Sequence, residues 1–440
     1  MDEFWALETL GIKDSPLHNE DEFALEQFNN TIYFSENRYH VTWPWKVQNP
    51  ELPDNFSLAY GRLRSLLRRI TPDLFSKIDA IIKDQLVKGI IEPVDTSVPT
   101  EHLIHYIPHQ PVLTLQKTTT KCRIVYDASA KLPHKNSLND LLIRGPVILP
   151  NLIGLLIQFR LGKIGLVSDV EKAFLQIVLQ PSQRDVTRFL WVTEQTQTLN
   201  PQLLQIFRFT RVPFGMTSSP FLLGATIQYH LKHSRDPDLQ ELTSNFYVDN
   251  MVLSVDSAET AMKIYQKATQ SFALMGMNLR EWNSNSVEVK NQISKEKQSE
   301  KSQDKILGIL WDTNKDTIQL TDRNQIQLKP VSTKRQALSV LSEVYDPLGL
   351  IAPVTLLGKK FIQDLWTQKL DWDETLSEEQ LTAFDKLIKV YTTIHEITLP
   401  RWISFTVTTK CELHIFTDAS ATAYACAAYL RFYTNDTWKT

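Results

Sequence analysis

Two short apolar runs, each broken by a lone acidic residue, constrain this chain more than any other feature: "KIGLVSDV" at 163–170 and "NFYVDNMVLSV" at 245–255. A strand-like run that stops at an aspartate leaves a carboxylate at the end of a sheet. The second run reads as two strands with Asp249 at the turn between them. On the local pattern two readings stay open. Asp249 is either half of a metal-holding pair with Asp169, or one polar residue in an ordinary β-turn, where Asp is favoured for its own hydrogen bonds to the backbone.

The rest of the chain supplies the context. At 440 residues it exceeds what one hydrophobic core serves, so two or three subdomains are expected. Hydrophobic residues at 42% and charged residues at 22% are globular values, which sets disorder aside as the default. A net charge of -3 gives no global attraction to nucleic acid, so any polyanion site must come from local groups of Lys and Arg. Cys122, Cys411 and Cys426 are far apart and odd in number, which offers neither a disulfide framework nor a CxxC metal pair and fits a reducing compartment. No stretch reaches the roughly 18 apolar residues that cross a bilayer. The opening "MDEFWALETLGI" lacks the basic and apolar regions of a secretory signal. The expectation is an intracellular protein, cytoplasmic or nuclear, with no membrane partner.

Along the chain the pattern is α+β. Residues 1–50 read as a docked lead-in with little regular structure. "NFSLAYGRLRSLLRRITPDLFSKIDAIIKDQLVKG" has helical spacing broken at Thr71-Pro72, which predicts two helices, the first carrying Arg62, Arg64, Arg68 and Arg69 on a face that is either solvated or turned to phosphate. His102, His105 and His109 would share a helical face, but Pro108 and the β-rich surroundings predict a strand, where they do not converge on a metal. Helix and strand patterns then alternate through "LPNLIGLLIQFRLG", "TRFLWV", "LQIFRFTRV" and a helix after Pro220. The amphipathic "SAETAMKIYQKATQSFALMGM" follows the Asp249 hairpin. Residues 284–305 are polar and lysine-rich and read as a mobile loop. "KILGILWD" is strand-like, helical patterns run from about 333 to 397, and "ELHIFTDASATAYACAAYLR" reads as a β-hairpin.

The segments "LVSDVEKAF", "RVPFGMTSSPF" and "FYVDN" stand in the order and separation of the palm motifs of reverse transcriptases. The surrounding text, including "RYHVTWPWK", "TTTKCRIVYDASAK", "SLNDLLIRGP", "EVYDPLGLIAPVT" and "LDWDE", resembles the Pao/BEL group of LTR retrotransposons. The resemblance implies a right-hand polymerase. Residues 1–55 would be a lead-in, 56–320 fingers and palm with a flexible insertion at 284–305, 321–405 thumb and connection, and 406–440 the truncated start of an RNase H-like domain. The implied activity is that of an RNA-directed DNA polymerase, which adds nucleotides from deoxynucleoside triphosphates to a primer on an RNA or DNA template with two Mg²⁺ ions.

Residue by residue, the resemblance makes Asp169 the first metal ligand with the Val170 carbonyl beside it, and Asp249 the second. Phe174 matches the ring that screens the sugar 2′-hydroxyl. Arg123 matches the arginine on the incoming triphosphate, a task suited to its planar fork, with Lys121 a weaker candidate. Phe214 and Gly215 match the loop beneath nucleotide and template, where glycine would permit close approach. Gly308 and Trp311 fall where a primer-gripping hairpin is expected. Asp418 resembles the first carboxylate of an RNase H, of which only the opening hairpin is present, so that activity is not expected, and no D-[ST]-G triplet suggests a peptidase. One position departs from the pattern: Asn250 stands where the motif has a second aspartate. That substitution implies weakened catalysis, and the alternative function is an inactive relic that still binds template and primer.

Overall fold

The computed structural model describes residues 17–113, 122–194, 201–320, 330–394, 397–403, 410–434 and 437–439. The chain forms two compact units that interleave in sequence. One comprises Met1–Leu149, Val170–Thr243 and Ala268–Asn278; the other comprises Pro150–Asp169, Ser244–Lys267 and Leu279–Thr440. Strand pairing draws the Asp169 and Asp249 segments together with residues beyond 279.

In the first unit, the expected irregular lead-in is instead a helix, Leu17–Thr31, followed by the hairpin Tyr33–Ser35/Arg38–Val41. Ala24 and Phe28, one turn apart, supply the buried stripe that fixes the helix. The two arginine-bearing helices form as expected, Phe56–Arg69 and Pro72–Val87. Leu63, Leu66 and Leu67 bury one face of the first. Thr71 accepts a hydrogen bond from the Leu74 N–H and Pro72 opens the second helix, so the sequence break is an N-cap. Arg62 is ion-paired with Asp127 at 2.5 Å.

A three-stranded sheet orders Ile91–Pro93, Leu204–Phe209 and Arg188–Val192, with Phe189, Phe207 and Phe209 stacked inside. His105 and His109 each contact a backbone carbonyl, of Pro53 at 2.6 Å and Leu190 at 2.9 Å.

In the second unit, a four-stranded sheet runs in the order Phe246–Tyr247, Asn250–Val255, Ile164–Val170, Leu279–Ser284. The two middle strands are antiparallel in continuous register from Asn250 opposite Asp169 to Val255 opposite Ile164. Beneath them lies one hydrophobic core that joins Phe159, Val167, Val252 and Trp311 to the buried faces of three helices, Lys334–Leu341, Ala352–Thr367 and Glu378–Thr393. Gly165 permits this contact: a Cβ there would sit 3.0 Å from both the Phe159 and the Trp311 rings.

A second sheet orders Gln303–Ile306, Ile309–Asp312, Thr317–Gln319 and Thr398–Pro400. Leu307 and Gly308 turn its first hairpin with φ of 47° and 96°, the left-handed pair of a tight two-residue loop. The segment 284–305 is ordered rather than a mobile loop. Ser286 caps a helix, Val287–Gln292, and Val289 and Ile293 anchor it in the core, two apolar residues that its lysine-rich composition hides.

Cys411–Ala419 and Tyr424–Thr434 pair as the expected hairpin, with Thr437–Lys439 as a third strand. Among the described residues no helix is long and apolar enough to cross a membrane.

Arg401 ties the second unit together. Fully buried, it holds both oxygens of Asp316, at 2.6 and 2.9 Å, and donates to the carbonyls of Phe159, Gly162 and Lys163. Trp311 Nε1 donates to the same Asp316 at 3.0 Å. A buried guanidinium with every donor used, paired with a partly exposed carboxylate, is costly to remove, by up to about 3–5 kcal/mol. Arg401→Ala should therefore lower the opening free energy of amides in Ile164–Val170 by that amount in native-state hydrogen exchange. A loss below about 1 kcal/mol would show that the tie lies elsewhere.

Candidate active site

The local geometry of the hairpin explains how Asp249 is presented. Tyr247 and Asn250 are register partners, so Val248 and Asp249 form a two-residue turn. Val248 has φ of 59°. Glycine is the ordinary occupant of a left-handed first turn position, and a β-branched side chain there stores roughly 1–3 kcal/mol of strain. The flanks hold it: Phe246, Met251, Val252 and Leu253 are buried, and Asn245 Nδ2 donates to the Val252 carbonyl at 3.1 Å. Asp249 is thus fixed at the same sheet end as Asp169, which lies opposite Asn250.

The two carboxylates are electrostatically unsatisfied. Asp169 is pushed up to about 6, first by burial and then by repulsion from Asp249. The Arg280 guanidinium, its Nε 3.7 Å from Asp169 Oδ2, opposes the shift, and Glu281 adds to it. Burial also raises Asp249, against the pull of its own backbone N–H. Asn250 Nδ2 donates to Asp249 Oδ1 at 2.9 Å, so the amide at the departing position orients the neighbouring acid instead of adding charge. Arg280 and Glu281 escape a reading of the sequence, because "LREWNS" carries no local sign that its strand lies beside the one ending at Asp169.

This donor set suits a divalent cation. Mg²⁺ is commonly held by one or two carboxylates and completes its octahedron with water and substrate phosphate. Among the described residues no three His, Cys, Asp or Glu side chains converge into a closed metal site. Asp169 and Asp249 could hold such an ion jointly with a backbone carbonyl. Val170, next in sequence, ends the strand with its side chain buried.

The remaining candidates lie in the other unit. Phe174, on the 3-10 turn Ala173–Gln176, and Phe214 meet edge to face, centroids 4.7 Å apart at 85°, and Phe214 remains 51% exposed. Gly215 has φ of 98°, and a Cβ there would collide with the Tyr126 carbonyl. Its glycine is therefore demanded by the protein's own backbone, a reason distinct from the nucleic-acid approach expected. Asn139 clamps the loop, donating to the Gly215 carbonyl at 3.1 Å and accepting from the Thr217 N–H at 2.9 Å. Arg123 is exposed on Cys122–Tyr126, and Lys121 lies outside the described residues.

Residues 114–308 match the family model for reverse transcriptase (RNA-dependent DNA polymerase), and residues 333–440 match that for a Pao retrotransposon-like RNaseH-like domain. No curated protein matches the chain. Among solved structures, a foamy viral protease-reverse transcriptase dRH in complex with double-stranded DNA is similar at 14% identity and a TM-score of 0.57, covering 94% of this chain and 66% of that one. A foamy viral protease-reverse transcriptase with an RNA/DNA hybrid gives 14% and 0.53, covering 96% and 53%. A third, with double-stranded DNA, gives 14% and 0.57, covering 95% and 79%. This chain thus spans less than two thirds of the length of the first two, and at such identity the likeness is one of fold.

The raised Asp169 sets a pH dependence. In metal-free buffer the folded protein binds this proton more tightly than the unfolded chain does. Its contribution to stability therefore falls as pH rises from about 4 through about 6, and the full cost persists above. Asp169→Asn should melt higher than the parent at pH 8, with the gap closing towards pH 4 in thermal scans with chelator. A gap independent of pH would show that Asp169 is not the strained acid.

Proposed function

We propose that this chain, whose residues 114–308 match the reverse transcriptase model and 333–440 that of a Pao retrotransposon-like RNaseH-like domain, is a retrotransposon RNA-directed DNA polymerase acting on a primed RNA or DNA template. The observation that carries the reading is the register that sets Asp169 and Asp249, eighty residues apart in sequence, at one sheet end with both protons held abnormally tightly.

In this reading Asp169, Asp249 and the Val170 carbonyl hold the metal. Two Mg²⁺ ions bound there would activate a primer 3′-hydroxyl and offset charge on the departing pyrophosphate. Arg123 grips the triphosphate of the incoming deoxynucleotide with its planar fork. Phe174, braced edge-on by Phe214, fills the space that a ribose 2′-hydroxyl would need. The Leu307–Gly308 hairpin supports the primer. Residues 56–320 act as fingers and palm, 321–405 as thumb and connection, and 406–440 open the RNase H-like region.

One observation favours a second reading. Asn250 leaves the sheet end one negative charge short and hydrogen-bonds Asp249. A protein that binds template and primer without extending them would tolerate this better than an enzyme would.

Primer extension on an RNA template with Mg²⁺ separates the readings. Losing a metal-holding carboxylate removes several kcal/mol of charge stabilisation, so Asp249→Ala should slow extension by roughly three orders of magnitude, with unchanged circular dichroism. A variant as fast as its parent would refute the metal assignment. Asn250→Asp should raise the rate of a weakened enzyme. Silence in both parent and Asn250→Asp would favour the non-catalytic binder.

A further inference from the structure

A group of cations in the first unit has no part in the chemistry above. The strand Arg38–Val41 pairs in parallel with Val178–Leu179, setting His40 beside Val178, and Val178 bridges in turn to Arg211. Lateral neighbours in a sheet, and residues two apart along a strand, point to the same face. Arg38, His40 and Arg211 therefore share one face. Arg38 Nη1 is fixed there by the Gln176 carbonyl at 3.0 Å and the Gln176 Oε1 at 2.9 Å. Arg184, one strand end away, donates Nε to the Leu179 carbonyl at 3.0 Å and lies 3.3 Å from Glu92.

Arg211 is the anomaly. Its Nη1 is buried and meets no hydrogen-bond partner among the described residues, while the His40 ring stacks on Tyr33 and is drawn to the Ser35 backbone. Burial, followed by repulsion from Arg38 and Arg184, pushes the Arg211 guanidinium down to about 10. Glu36 opposes this from the exposed hairpin turn, with no ion pair to Arg211. Its burial and neighbours also pull His40 down: Arg184 and Arg211 disfavour its charge, while Glu36 and the Ser35 backbone favour it. A guanidinium half out of water, facing two others and carrying an idle donor, is a costly arrangement for the empty protein. An oxyanion would use the idle donor and offset the repulsion at once.

We propose that this face binds a phosphate group, seated on Arg211 and His40 with Arg38 and Arg184 as flanking cations. The phosphate comes from the backbone of a bound nucleic-acid strand or is free inorganic phosphate. The chemistry is shared, and the test separates the sources.

The test compares the full-length chain with Arg211→Gln and Glu36→Gln. Thermal melting in potassium phosphate is set against potassium chloride at matched ionic strength, and anisotropy follows a labelled oligo-dT strand over a salt series. Phosphate should raise the parent's melting temperature above that in chloride. Arg211→Gln should lose this increment yet melt no lower than the parent in chloride, since a half-buried charge facing two like charges has gone; a merely structural arginine would give a lower melt. Glu36→Gln, at an exposed turn, should tighten inorganic phosphate by about two- to fivefold.

No increment in the parent, or an increment kept by Arg211→Gln, overturns the site. Should Arg211→Gln not fold, unchanged phosphate affinity in Glu36→Gln overturns it. If Arg211→Gln also weakens oligo-dT and lowers the salt slope by about one, the phosphate belongs to a strand. If oligo-dT binding is unchanged while the phosphate increment disappears, the ion is free. The readouts are binding and melting, so they stand whether or not the chain polymerises.

Discussion

The antiparallel pairing of Ile164–Val170 with Asn250–Val255 is the constraint on which the candidate site rests. Side chains alternate along a strand, so a slip of one residue would turn Asp169 to the other face from the hairpin and take Val167 and Val252 out of the core they share with Phe159 and Trp311. The core beneath forbids that slip. Gly165 lets Phe159 and Trp311 close on the strand, and Trp311 shares Asp316 with the buried Arg401. The acidic pair therefore owes its position to residues as distant in sequence as 401, none of which carries chemistry of its own.

At that sheet end the electrostatics and the backbone push in one direction. Burial and mutual repulsion disfavour two ionised carboxylates, and the left-handed Val248 adds conformational strain. Such costs persist in folded proteins only where the surroundings over-determine them. Arg280 offsets part of the repulsion from 3.7 Å, and Asn250 holds Asp249 by a hydrogen bond. What the protein leaves uncompensated is the mutual repulsion of two partly buried carboxylates.

Much of this was legible in the residues. Asp169 and Asp249 announce themselves as breaks in apolar runs, Thr71-Pro72 marks a helix start, and the order of the three palm-like motifs specifies which strands must meet. Other features leave no local trace. Composition conceals the helix at 287–292, since two buried residues among lysines and glutamines suffice to anchor it. The helix Leu17–Thr31 is missed for a like reason: Ala24 and Phe28 are a thin stripe among acids and amides. Val248 gives no sign of its left-handed backbone, because valine is a poor choice for it. Gly215 carries a second demand that its sequence surroundings do not show, since a Cβ there would meet the Tyr126 carbonyl. Arg211 looks like any surface arginine until strand pairing aligns it with Arg38 and His40.

The interleaving of the two units bears on how the molecule is made. A ribosome releases Asp169 long before Trp311, and Arg401 later still, so the strand Ile164–Val170 emerges apolar on both faces with neither its partner nor its floor yet synthesised. Vectorial folding can settle little of the second unit, whose closure waits until Arg401 has left the ribosome. During that interval the nascent chain carries an unpaired apolar strand, the kind of edge that associates with other chains before its own partners arrive.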